Sequence, residues 1–249
     1  MSPVLSVEGI SKSFGGVHAV RDVSFAVAPG EMLAMIGPNG AGKSTTFNMA
    51  GGQLCPDRGR VLLGGRDVTG IAPRAVWRLG VGRTFQITAT FASMTVAENV
   101  QLALLSHAGR AYDAFGAARG FARDRAVALL GQVGLAEQAA RSCGELAYGD
   151  LKRLELAMAL ANEPRLLLMD EPTAGMAPRE RIALMALTAA IARERSLAVL
   201  FTEHDMDVVF APADRLVVHD RGALIAEGRP AEVRAARPGD REIGREHGA

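Results

Sequence analysis

The feature that most constrains this chain is the run Gly37, Pro38, Asn39, Gly40, Ala41, Gly42, Lys43, Ser44 and Thr45, set directly after the apolar segment Met32–Ile36. From Gly37 to Ser44 it has the Gly-x-x-x-x-Gly-Lys-Ser spacing of a phosphate loop. Its setting predicts a buried strand, a glycine-rich turn and a helix that opens at about Lys43. The glycines let successive backbone N–H groups converge on phosphate oxygens. Lys43 then reaches the β- and γ-phosphates, and Ser44 offers its hydroxyl to Mg²⁺. The ligand this pattern implies is a nucleoside triphosphate.

Patterning around the loop predicts an α/β core built from both ends of the chain. Val4–Val7, Val23–Val27 and Met32–Ile36 are β-rich runs divided by turn glycines, and Val61–Leu63 before Gly64 and Gly65 reads as a hairpin edge. From about Thr95 to Ala161 the chain is rich in Ala, Leu, Arg and Glu at helical spacing, with its best helices at 96–106, 121–132 and 151–162. Alternation then returns: strand 165–169, helix 179–193, strand 197–202, and a hairpin at 216–219 and 223–226. Strand, helix, strand of this kind gives a mostly parallel sheet flanked by helices. The division expected is core at 1–86, helical subdomain at 87–158, core again at 159–228, and a tail at 229–249 holding one short helix.

Composition narrows the function classes. With 28 basic and 27 acidic residues the net charge is +1, which argues against nucleic acid as a partner. Two cysteines, Cys55 and Cys143, give neither a disulfide framework nor a metal cluster. The first residues lack a secretory leader pattern, and no window reaches the ~18 apolar residues of a membrane span. The expectation is a soluble, intracellular protein.

A phosphate loop needs a carboxylate-bearing strand beside it. Asp170 and Glu171 end the apolar run Leu166–Met169, which delivers them to the sheet edge where the loop lies. Asp170 is placed to hold Mg²⁺, directly or through water, and Glu171 to accept the proton of an attacking water. His204 follows the apolar strand 197–202 in the same way and is placed to stabilise charge near the γ-phosphate. The other histidines, His18, His107, His219 and His247, read as surface or core residues. Gln86 closes the segment that leads into the helical insertion, where its amide can touch metal or water. Trp77 reads as core; Phe85 and Phe91 stay open between core and contact residues.

With these residues in hand, the chain resembles the ATP-binding subunit of an ABC transporter over about residues 4–232. That resemblance implies a P-loop NTPase core with an antiparallel β edge and an inserted α-helical subdomain. Gly37–Thr45 resembles the family's Walker A motif and 166–171 its Walker B motif with the catalytic glutamate. Gln86 occupies the Q-loop position and His204 the switch-histidine position, and Phe14 matches the aromatic that stacks on adenine. Residues 146–150 stand where the signature stands, which implies that Gly149 and Asp150 contact ATP held by a second ATPase subunit. Phe14–Gly16, Arg83–Gln86, Met94–Asn99, Leu146–Leu156 and Glu203–Met206 are similar to the ATPase subunits of branched-chain amino acid importers; importers of amides and urea share much of this pattern. The resemblance implies ATP and Mg²⁺, a second cassette that is a copy or a paralogue, membrane permease subunits met by residues 87–94, and indirectly a solute-binding protein. The place implied is the cytoplasmic face of the plasma membrane, as a peripheral subunit.

The chain departs from the family pattern at four positions, Ala147, Tyr148, Asp150 and Ala177. The usual Leu-Ser-Gly-Gly-Gln signature is here Leu146, Ala147, Tyr148, Gly149 and Asp150. Ala147 removes a hydroxyl from the phosphate, and Asp150 reads as the N-cap of helix 151–161 with Lys152 and Arg153 offsetting its charge. Ala177 stands where the D-loop usually carries Asp. Two rival readings stay open: a soluble ABC-type ATPase of DNA repair or translation, and a cassette that closes on ATP but scarcely hydrolyses it.

Overall fold

The computed structural model describes residues 2–84, 90–109 and 122–235. Strands Leu5–Phe14 (β1), Val17–Val27 (β2), Arg58–Leu63 (β4) and Arg66–Asp67 (β5) form an antiparallel sheet of order β2-β1-β4-β5. Met32–Ile36 (β3), Val81–Thr84 (β6), Leu166–Asp170 (β7), Ala198–Thr202 (β8), Arg215–Asp220 (β9) and Ala223–Gly228 (β10) form the second, of order β10-β9-β3-β8-β7-β6. In it β9, β3, β8, β7 and β6 run parallel, and β10 pairs antiparallel with β9. The parallel sheet and the antiparallel edge follow the sequence expectation.

The central strands are continuous apolar runs because both faces of the sheet are covered. Met32, Ala34 and Ile36 join Leu167, Met169, Val199 and Phe201 on one face. Helices Val96–His107 (α3), Arg123–Gln132 (α4), Tyr148–Leu160 (α5) and Pro178–Arg195 (α6) supply the other side of that core. Leu33 and Met35 point the opposite way, with Leu166, Leu168 and Leu200, onto Phe47 and Met49 of helix Lys43–Ala50 (α1) and onto the antiparallel sheet. One sheet with two cores is what joins the two ends of the chain.

Several details differ from the sequence reading. Pro73–Arg78 forms a short helix (α2) and Met206–Phe210 another (α7), neither of them expected, whereas Pro230–Ala235 (α8) is the short helix expected in the tail. Residues 81–84 pair with β7 as strand β6, although Gly82 and Arg83 make them a poor strand on propensity. Trp77 is only partly buried, edge-on to His107 at 5.6 Å between ring centroids, and Phe91 is half exposed; neither is a plain core residue. Among the described residues no helix is long and apolar enough to cross a membrane.

Candidate functional site

The parallel register sets the site. Met35 of β3 and Asp170 of β7 both lie opposite Thr202 of β8, so the three strands end at one edge. There the chain after β3 turns through Gly37–Gly42 into α1. Two glycines in that turn are sterically required. Gly37 (φ 145°) has no room for a side chain, since a Cβ would meet the His219 carbonyl oxygen at 2.2 Å. Gly42 (φ 98°) lies as close to the Ala19 carbonyl, 2.5 Å from an added Cβ. Both also hold the positive φ that glycine tolerates.

The Lys43 ammonium is buried and donates to the carbonyls of Gly37 (2.7 Å) and Pro38 (2.9 Å). Burial lowers its pKa, while the neighbouring Glu171 and Asp170 charges oppose that shift. Thr202 ties the carboxylate pair together: its hydroxyl donates to Asp170 Oδ1 at 2.7 Å and accepts from the Glu171 N–H at 3.0 Å. Glu171 itself sits at φ 47°, in the left-handed region that non-glycine residues avoid. Its Oε1 lies 2.5 Å from His204 Nε2. A cleft of about 170 Å³ is lined by Ala19, Asn39, Gly40, Lys43, Ser44, Glu171 and His204, among others.

The structure thus brings Lys43, Ser44, Thr45, Asn39, Gly40 and Gly42 together with Glu171 and His204, as the sequence reading expected. Phe14 ends β1, half exposed, at the turn into the strand that carries Ala19. Gln86, and Phe85 beside it, lie outside the described residues. Asp150 is a correction: α5 begins at Tyr148 with Ala147 as its uncapped N-cap, so Asp150 is a third-position residue and not the cap. It accepts from Gln138 Nε2 at 3.0 Å, and Arg153 lies 3.9 Å away. Lys152 does not offset it, because its ammonium pairs with buried Glu155 at 3.1 Å.

Sequence reasoning missed Thr202 and Glu203. Buried Glu203 accepts from both the N–H and the hydroxyl of Thr173, at 2.9 and 2.6 Å, and so pins the segment after Glu171. Only the carboxylate directly after the apolar strand β8 gave a sequence signal, and it pointed to Glu203. Hard oxygen donors, the Ser44 hydroxyl and the Asp170 carboxylate, suit Mg²⁺, which takes few protein ligands and completes its shell with water and phosphate oxygens. Among the described residues no cluster of three or more His, Cys, Asp or Glu side chains offers a metal cage.

A phosphate loop on the central strand of a parallel sheet, beside a carboxylate-tipped neighbour, defines a phosphate-loop nucleotide-binding protein. The ABC transporter family model matches residues 20–174, and the chain belongs to that family. It is 39% identical over 239 residues to the high-affinity branched-chain amino acid transport ATP-binding protein BraF of Pseudomonas aeruginosa, covering 93% of this chain and 94% of that protein. It is likewise 39% identical over 240 residues to LivG of Escherichia coli, named for the same transport, at 93% and 94% coverage. A nucleotide-free ATP-binding cassette of an ABC transporter superposes with a TM-score of 0.85 at 31% identity, over 95% of this chain and 96% of that one. A cassette in its ADP conformation gives 0.83 at 31% identity, with 94% of each chain covered.

Proposed function

We propose that this chain is the Mg²⁺-dependent ATPase subunit of an importer for branched-chain or related amino acids. The observation that carries the reading is the convergence of Lys43, Ser44, Glu171, Thr202 and His204 on one cleft. Lys43 leaves its carbonyl partners to meet the β- and γ-phosphates, with the loop N–H groups. Ser44, Asp170 and Gln86 would hold Mg²⁺, which would supply positive charge to offset that of the phosphates. Glu171 takes the proton of the attacking water, and His204 orients Glu171 and faces the charge that develops. Phe14 supplies the adenine platform.

The second half of each site comes in trans from Gly149, Asp150 and the α5 N-terminus of a second cassette. The uncapped first turn of α5, with Ala147 at its N-cap, keeps N–H groups free for a phosphate. ATP closes the pair and hydrolysis releases it, and the helical subdomain at 87–158 passes that motion to permease subunits at the cytoplasmic face of the membrane. The amino acid substrate class is supported by 39% identity to BraF and LivG along nearly the whole chain.

ATP turnover by the wild type and Glu171→Gln tests the reading. The variant is expected to lose activity by at least about 100-fold while binding ATP with unchanged affinity. Equal turnover would remove Glu171 from the role of general base.

A further inference from the structure

Tyr148 stands at a signature position that usually carries glycine, and it does something glycine cannot. Its hydroxyl donates to the carbonyl of Ala174 at 3.1 Å. Its ring lies against Gly175, where an added Cβ would come within 3.3–3.5 Å of Cε1, Oη and Cζ, and Gly175 is at φ 79°. The Lys152 ammonium lies over the ring, 5.6 Å from its centroid, and is itself paired with buried Glu155. Close by, a Cβ on Gly149 would meet Glu180 Oε1 at 2.9 Å, and Glu180 caps α6 by accepting from the Ala177 N–H at 3.2 Å. The start of α5 and the start of α6 are therefore seated on one another.

Ala174 leads from that contact to the active carboxylate. Its N–H donates to the Glu171 carbonyl at 3.1 Å, closing the turn in which Glu171 holds its left-handed backbone. Such a conformation persists only where neighbours over-determine it. Thr202 braces the turn from the sheet side, and Tyr148 braces it from the signature side.

We propose that Tyr148 is a positioning residue for ATP hydrolysis: it braces the 171–174 turn and so ties the signature of a chain to that chain's own Glu171. The inference rests on the functional reading above, in which the signature meets a nucleotide held by the second subunit. In that arrangement, closure of the signature on one ATP steadies the base at the other, so the tie makes the two sites cooperative.

The test is ATP hydrolysis by the assembled transporter carrying Tyr148→Phe, which keeps the ring and removes the donor, with Tyr148→Gly and Glu171→Gln in parallel. For Tyr148→Phe, kcat is expected to fall roughly 2- to 10-fold, the worth of one net hydrogen bond. The Hill coefficient for ATP is expected to drop towards one, with nucleotide affinity and thermal midpoint unchanged. Tyr148→Gly should show the same change or a larger one. Unchanged kcat and Hill coefficient, or a loss of kcat matched by loss of folding at constant Hill coefficient, would overturn the proposal. If Glu171→Gln keeps full turnover, it is the functional reading that fails and not the tie alone.

Discussion

His219 is fully buried in β9, directly beneath the phosphate loop, and among the described residues neither of its ring nitrogens has a hydrogen-bond partner. Burial, aided by the Lys43 charge, lowers its pKa from 6.5 to about 4. The folded state therefore refuses a proton that the unfolded state accepts. The stability this neutral imidazole permits is complete above about pH 6.5 and is lost as pH falls towards 4, by up to about 3 kcal/mol. Denaturant midpoints at pH 7.5 and 5 should diverge more in the wild type than in His219→Leu, and an identical pH dependence would refute the assignment. The sequence marked Lys43, Asp170, Glu171 and His204 because each ends or follows an apolar run, and the register then gathers them. Thr202 was illegible because a threonine closing a strand looks like any β-branched residue until Asp170 and Glu171 flank it. Asp150 was misread for the converse reason: it is a good N-cap by type, but α5 starts three residues earlier, where Ala147 has no side chain that can cap.

At the scale of elements, the segment 94–99 shows what a motif does locally. Thr95 caps α3, accepting from the Glu98 N–H at 3.2 Å while Glu98 accepts from the Thr95 N–H at 2.8 Å, a capping box. Buried Asn99 then holds the preceding loop through the Phe91 N–H and carbonyl, at 2.8 and 3.2 Å. Thr95→Ala should cost about 1 kcal/mol in equilibrium unfolding; no loss would mean that the box contributes nothing. Helices α3, α4, α5 and α6 and strands β3, β7 and β8 were legible because each buries a long apolar face. Strand β6 was not, since it exists through pairing with β7. Its Gly82 is there for closeness: a Cβ would meet the Ala159 carbonyl of α5 at 2.7 Å. Arg83 on its other face lies over the Phe47 ring at 4.9 Å and donates to Asn48 at 2.9 Å, a tertiary role with no local signature.

For the whole molecule, both ends of the chain build one cleft around Gly37–Thr45, with helices α3, α4 and α5 lying between β6 and β7 in the chain. The α/β class and the run of helices in the middle of the chain followed from apolar runs and glycine turns, whereas the strand order, with β3 between β9 and β8, needed three-dimensional pairing. That order is what sets His219 under the loop and Thr202 beside the carboxylates. The claim that this cleft grips a triphosphate through Lys43 is tested most directly by calorimetric titration of Mg-ATP into the purified chain and into Lys43→Ala. One ATP per chain is predicted for the wild type, with affinity roughly 10- to 100-fold weaker in the variant, the loss of a charge-assisted contact to phosphate. Equal affinity in the two proteins would contradict the account.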